Sequence, residues 1–376
     1  MRILFTFAGN YGHLAPLLPL ARAAHTVGYQ IAFVGRPWMQ SRVEELGWTF
    51  FSAGSDRGLI PQKRPLIVSD INKERQDLAK SFGYRIARER MIDMQAICQS
   101  WQPDLIVAEE TDFGAMIAAE SLNIPYAKVV VIAAGGFILP ELLSEPLNEL
   151  RQSVGLPADP ELEMLSKPLI LSSIPPIYRD PNYQLPDHAI YFHRARIPEN
   201  NVREEKLPLV YLTLGTVFPL ESGDLFERII IGLRDLPIKL QVTVGTEIDP
   251  ARFGPQPANV RIDQFVPQHE ILPQSKLIIS HAGSGSVIGA LEYGIPMILL
   301  PLGADQPLNA ERCKALGVAH VVDPLTVTPQ QIADLVQQSL ADSAMQRKAQ
   351  LLRDSFVDLP SPHVALAQLE RLVAAH

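Results

Sequence analysis

The strongest constraint on the fold is that the chain opens the same way twice. Residues 2–7 (Arg-Ile-Leu-Phe-Thr-Phe) form an apolar run of strand length, 9–12 a glycine-bearing loop, 14–27 a helical stretch and 30–34 a second apolar run. From Leu209 the pattern repeats, with a strand at 209–214, a loop at 215–222, a helix at 224–234 and a strand at 239–244. Apolar strands joined through helices are the mark of parallel sheets covered on both faces, so two doubly wound α/β domains are expected.

The first half continues with a helix at 85–101, a strand at 104–108, a helix at 113–122 and a strand at 126–132. Residues 56–77 carry charges and prolines without a period and read as a long loop, and 135–146 are apolar without alternation, either core or the wall of an apolar ligand pocket. The polar run 199–206 between Pro198 and Pro208 marks a linker. The expected division is a first domain at 1–198, a linker at 199–207, a second domain at 208–355 and a tail at 356–376 whose apolar residues recur at helical spacing.

With 376 residues, 47% hydrophobic and 20% charged, the chain has material for two ordinary globular cores. A net charge of −8 with no basic stripe argues against a nucleic-acid partner. Cys98 and Cys313 are the only cysteines, too few for a disulfide framework and in keeping with a reducing cytoplasm. The apolar run at 3–8 is too short for a signal-peptide core, and no stretch reaches the ~18 apolar residues of a membrane span. A cytoplasmic protein without a transmembrane segment is expected.

The chemistry concentrates at strand ends. His281-Ala-Gly-Ser-Gly-Ser286 lies between the apolar run 276–280 and a helical stretch at 287–293. Small residues there let a ligand approach the backbone, and the unpaired first N–H groups of a helix favour phosphate, so the loop reads as a diphosphate site. Its glycines, at 283, 285 and 289, fit neither the dinucleotide fingerprint nor a Walker loop. His13 ends Gly9-Asn-Tyr-Gly-His13 at the first strand–helix junction, where an imidazole can take a proton near neutral pH or merely cap a helix. Glu109, Glu110 and Asp112 follow the strand at 104–108, and any of them can orient a histidine; Asp112 also suits a helix cap. Phe265-Val-Pro-Gln268 offers an aromatic face for a base, and Asp305-Gln306 offers donors and acceptors for sugar hydroxyls or another helix start.

Gly-x-x-Gly-His13, Thr213-Leu-Gly-Thr216, Phe265-Val-Pro-Gln268, His281-x-Gly-x-Gly-Ser286, Gly294-x-Pro296 and Asp305-Gln-Pro-Leu-Asn309 occur in this order. Taken together, over essentially the whole chain, they resemble the inverting glycosyltransferases of family 1, in particular the bacterial enzymes that glycosylate macrolides and other natural products. The resemblance implies the GT-B fold: two Rossmann-like domains facing a deep cleft, acceptor on the first and nucleotide sugar on the second, with the last helix crossing back to the first. It implies that His13 is the general base. The position of its usual aspartate partner holds Glu109, one methylene longer, with Glu110 or Asp112 as substitutes. On the donor side it implies that Phe265, Val266 and Gln268 serve the base, that His281, Gly283, Ser284, Gly285 and Ser286 hold the diphosphate with Thr216 near it, and that Asp305 and Gln306 bind the sugar. Plant members place a ribose-binding glutamate where this chain has Gly289, so ribose contacts stay unassigned.

The reaction implied is a single in-line displacement of UDP or dTDP by a hydroxyl of a small apolar acceptor. No cofactor and no metal are expected; there is no Asp-x-Asp pair, and His188 and His193 read as structural. A nucleotide-sugar epimerase on the same fold and a non-catalytic homologue acting as a partner protein are the alternatives, though neither gives a reason to keep His13.

Overall fold

The structure is a computed structural model that describes residues 1–55, 65–194, 206–215 and 222–376. Contacts divide the chain into two units, one of residues 1–59, 72–195 and 358–376, the other of 60–71 and 196–357.

In the first unit seven strands are described: β1 (Arg2–Thr6), β2 (Gln30–Gly35), β3 (Thr49–Ser52), β4 (Leu105–Glu109), β5 (Tyr126–Val129), β6 (Leu169–Ser172) and β7 (Ile190–Tyr191). They lie parallel in the order β3-β2-β1-β4-β5-β6-β7. Alternation along β1 sends Ile3 and Phe5 to one layer, with Leu18, Leu20 and Leu366, and Leu4 to the other, with Met91 and Met116. Both faces are therefore apolar, as a parallel sheet requires.

The second unit contains β8 (Leu209–Thr213), β9 (Lys239–Thr243), β10 (Val260–Asp263), β11 (Ser275–Ser280), β12 (Met297–Leu299) and β13 (Ala319–Val321). All described pairings are again parallel, in the order β10-β9-β8-β11-β12-β13. In both sheets the strand order reverses beside the unit's first strand, between β1 and β4 and between β8 and β11. Crossovers leave in opposite directions there, which opens a crevice at the carboxyl ends of the two strands.

The structure departs from the sequence reading at three places. Of the presumed loop 56–77, residues from Ile71 onward are helical, and 56–64 lie outside the described residues. This helix runs Ile71–Lys80, widens into a π turn at Ser81–Ile86 and continues as Ala87–Trp101. Its first turns are charged and half exposed, so they lack the apolar stripe that reveals a helix. The strand expected at 126–132 stops at Val129, because Glu110 claims the amides of Val131 and Ile132. The helix expected from Val287 begins at Ser284, which brings Ser284, Gly285 and Ser286 into its first turn. The tail forms the helix Pro362–Ala374, which places Ala365, Leu366 and Leu369 in the core of the first unit; Tyr29 reaches Glu370 through a 2.7 Å hydrogen bond. Among the described residues no helix is long and apolar enough to cross a membrane.

Candidate active site

In the first unit the site grows from the ends of β1 and β4, neighbours in the sheet with Thr6 opposite Ala108. After β1 the chain passes Gly9 to Asn10, which is extended and whose Oδ1 accepts the Gly12 amide at 3.2 Å. That cap starts the short helix Tyr11–Leu14 and sets His13 over the strand end. The imidazole folds back onto Gly9, where an added Cβ would fall 2.2 Å from its Cδ2; only glycine leaves room.

Glu109 is the last residue of β4 and is fully buried. Its Oε1 lies 3.1 Å from His13 Nδ1 and accepts the Ala8 amide at 3.1 Å. Thr111 donates its hydroxyl to the same oxygen at 2.6 Å and its amide to Oε2 at 2.8 Å. Burial pushes this carboxyl up, but the charge of His13 and the hydrogen bonds from His13 and Thr111 outweigh it and hold the group below its ordinary range. On the other side of the imidazole lies Phe82, in the π turn, with rings 7° from parallel and centroids 5.9 Å apart. A π turn shifts the residues it carries around the helix and is a recurrent feature of functional sites.

The other two acids have separate work. Asp112 does not join His13: its carboxylate takes a bidentate pair with the fully buried Arg90, Nε to Oδ1 at 2.8 Å, and caps the helix Phe113–Ser121 through Ala115 N. Of the two roles open to Asp112, the structure shows the helix cap, and its carboxylate is turned to Arg90 and not to the imidazole. Glu110 points to the opposite face of the sheet, where burial raises it against the opposing pull of Lys128 and Arg179. Arg179 donates to Ile132 O and Tyr183 O, and Arg75 to Gly136 O, so the loop after β5 is fastened from both sides.

The second unit repeats the arrangement at the same topological position. His281 follows β11 and lies against the turn after β8: an added Cβ would come within 2.5 Å of its ring at Gly215 and 2.4 Å at Gly283. Burial pulls the His281 imidazole down to about 4, so it is neutral near pH 7 and offers one N–H rather than a charge. Ala282 takes a left-handed conformation (φ 66°) to turn the chain into the helix Ser284–Glu292, whose N-cap residue, Gly283, makes no side-chain cap hydrogen bond. The leading amides of such a helix have no intrahelical acceptor.

Asp305 is drawn to this N-terminus instead of capping its own helix. Its Oδ2 accepts from Ser284 Oγ at 2.6 Å and from Asn309 Nδ2 at 2.9 Å. Asn309 was given no role from the sequence, although it closes the Asp305–Asn309 motif; its Nδ2 also reaches Ala282 O at 3.1 Å and is buried. Gln306 is buried too, with Oε1 receiving the amides of Leu302 and Gly303, so its carbonyl end shapes the loop 301–304. Phe265 is half exposed, and Val266 precedes the short helix Gln268–Ile271. Gly289 lets that helix approach, with Gln268 Oε1 3.3 Å from where a Cβ would stand. Ser286 lies in the first turn with its amide turned to Gly283 O. Thr216 and linker residues 199–205 lie outside the described residues. No group of three or more potential metal ligands occurs among the described residues.

Two parallel-sheet domains with histidines at both switch points define a GT-B fold, and comparison with known proteins agrees. Residues 242–372 match the family of the erythromycin biosynthesis protein CIII-like C-terminal domain. The chain is 26% identical to the 10-deoxymethynolide desosaminyltransferase of Streptomyces venezuelae, over 100% of this chain and 98% of that protein. It is 23% identical to the NDP-glycosyltransferase YjiC of Bacillus licheniformis, over 97% and 96%. The crystal structure of the glycosyltransferase VinC in complex with dTDP superposes with a TM-score of 0.80 at 22% identity, covering 100% of both chains. The chain therefore has the GT-B fold and is similar along its whole length to glycosyltransferases of natural products.

Proposed function

We propose that the protein transfers a hexose from a UDP- or dTDP-sugar to a hydroxyl of a small apolar acceptor, with inversion, and that His13 is the base. The observation that carries this reading is the contact of His13 Nδ1 with a fully buried, ionised Glu109 at 3.1 Å. A carboxylate so placed fixes the ring, keeps the hydrogen on Nδ1 and stabilises the imidazolium once Nε2 has taken a proton.

The acceptor oxygen bonds to the anomeric carbon as the bond from that carbon to the diphosphate oxygen breaks, and the hydroxyl proton passes to His13 Nε2. The nucleoside diphosphate leaves with the electron pair, and the imidazolium later returns its proton to water. An α-linked donor thus yields a β-glycoside. The leaving charge meets the N-terminal amides of the helix Ser284–Glu292 and the neutral N–H of His281, donors already oriented before charge develops. Asp305, held by Ser284 and Asn309, stands beside that N-terminus as an acceptor for sugar hydroxyls. The similarity to the NDP-glycosyltransferase YjiC and to VinC, whose crystal structure holds dTDP, supports a nucleotide donor.

The test is release of nucleoside diphosphate from UDP-glucose and dTDP-glucose, with and without a panel of phenols and macrolide aglycones, for the wild type and His13→Ala. Acceptor-dependent release, reduced about 10²–10⁴-fold in the variant while nucleotide binding persists, is expected. Undiminished turnover by His13→Ala would overturn the base assignment, and failure to bind either nucleotide would overturn the enzymatic reading.

A further inference from the structure

The pair of His13 and Glu109 has a third member. Thr111 lies two residues past Glu109, in a turn closed by the Asp112 amide on Glu109 O at 3.0 Å. Besides the two bonds it gives the Glu109 carboxylate, its Oγ1 stands 3.3 Å from His13 Nδ1. A hydroxyl has one proton, and an ionised carboxylate has none to offer. The Thr111 proton is therefore committed to Glu109 Oε1, 2.6 Å away, and toward the imidazole the hydroxyl presents only lone pairs. Nδ1 thus faces two acceptors, Glu109 Oε1 at 3.1 Å and Thr111 Oγ1 at 3.3 Å. With both occupied as acceptors, Nδ1 must carry the hydrogen, which leaves the lone pair on Nε2.

We infer that Thr111 is a positioning residue of the transfer reaction: its hydroxyl holds the Glu109 carboxylate against His13 Nδ1, adds a second acceptor to the Nδ1–H that Glu109 fixes and, by sharing the charge of Glu109, sets the basicity of Nε2. This rests on the reading of His13 as the base and adds to it a residue that never touches substrate.

Among the described residues, the neighbouring acids are engaged elsewhere. Glu110 turns to Lys128 and Arg179 on the far face, Asp112 is held by Arg90, and the helix that packs on the imidazole presents the uncharged ring of Phe82. Removing the hydroxyl leaves Glu109 with one donor fewer, hence more basic, and tightens its hold on the imidazolium. The weaker 3.3 Å contact acts in the opposite direction and is the smaller effect. The proton taken from the acceptor is then released at higher pH.

The experiment compares Thr111→Val, Thr111→Ala and Thr111→Ser with His13→Ala, reading kcat/KM against pH, the nucleotide Kd and the ¹⁵N shifts of the His13 ring. The Val and Ala variants are expected to lose roughly ten- to a hundredfold in kcat, within the range of base catalysis. Their acidic limb should move up by about half a pH unit or more, their ring nitrogens should keep the single Nδ1–H tautomer that Glu109 fixes, and nucleotide affinity should not change. The Ser variant should stay within about threefold of wild type with the limb in place. A wild-type acidic limb and wild-type kcat in Thr111→Val, with His13→Ala inactive, would overturn the role of Thr111 and leave the base reading standing. An active His13→Ala would overturn that reading itself. Val and Ala variants that fail to fold while Ser folds would reduce Thr111 to a structural residue and likewise overturn the proposal.

Discussion

Glu109 meets His13 from the end of a strand, and its extra methylene relative to aspartate is fully used: Oε1 gathers His13, Thr111 and the Ala8 amide, while Oε2 takes the Thr111 amide. Shortening the side chain withdraws the carboxylate from all of them. Glu109→Asp is expected to lower kcat by about tenfold or more, and Glu109→Gln, which can hold the wrong tautomer, by about 10³-fold, with nucleotide affinity unchanged in both; steady-state kinetics against isothermal titration separates these effects. Asp112 gives the opposite pattern. Asp112→Asn leaves Arg90 buried with half a partner, so about 3 kcal/mol of stability should be lost in urea unfolding, with little change in the pH profile of the surviving enzyme. His281 contributes a pH dependence of its own. Its folded value, about 4, lies below that of an unfolded histidine, so the unfolded chain binds the proton first as pH falls. This contribution is intact above roughly pH 6.5 and is lost toward pH 4, on the order of 3 kcal/mol, and His281→Gln should show a correspondingly flatter acid limb of stability.

At the scale of elements, the four residues Glu109-Glu-Thr-Asp112 show what the sequence could and could not reveal. A cluster of acids after a strand was legible, because strand ends in such sheets carry function. Their separate partners were not: Arg90, Lys128 and Arg179 come from other elements, and only the fold brings them within reach. The same holds for Phe82, whose π turn leaves no mark in the sequence period, and for Thr111, a plain turn residue until its two neighbours are placed. The helix start at Ser284 was missed by one turn because serine and glycine are poor helix formers, and here the N-terminal site needs small residues more than propensity. Helix contacts hinge on glycine in the same way in both units. An added Cβ would stand 2.2 Å from Ala87 O at Gly114 and 2.3 Å from Pro329 O at Gly232, both backbone atoms that cannot swing aside. Gly114→Ala should therefore destabilise by about 2–3 kcal/mol, the overpacking outweighing the better helix propensity of alanine; a lowered urea midpoint is the readout.

The whole molecule consists of two units built to one plan, each with its histidine resting on glycine at the reversal of strand order. That plan was readable from the doubled strand–helix–strand opening. The tail, residues 358–376, groups with the first unit, as its expected crossing back implied, whereas the grouping of residues 60–71 with the second unit left no signal in the sequence. Ala365, Leu366 and Leu369 of the helix Pro362–Ala374 are buried in the first unit, so deleting residues 358–376 should cost it on the order of 5 kcal/mol. All three tryptophans, Trp38, Trp48 and Trp101, lie in the first unit, and their fluorescence should report this loss directly. The return of this helix also bears on how the protein is made. Leaving the ribosome in order, β1 to β7 must wait, with the apolar face that receives Leu366 uncovered, while every strand of the second unit is synthesised. The domain begun first is thus the last to be completed, and the interval between the two is where a chaperone would find it.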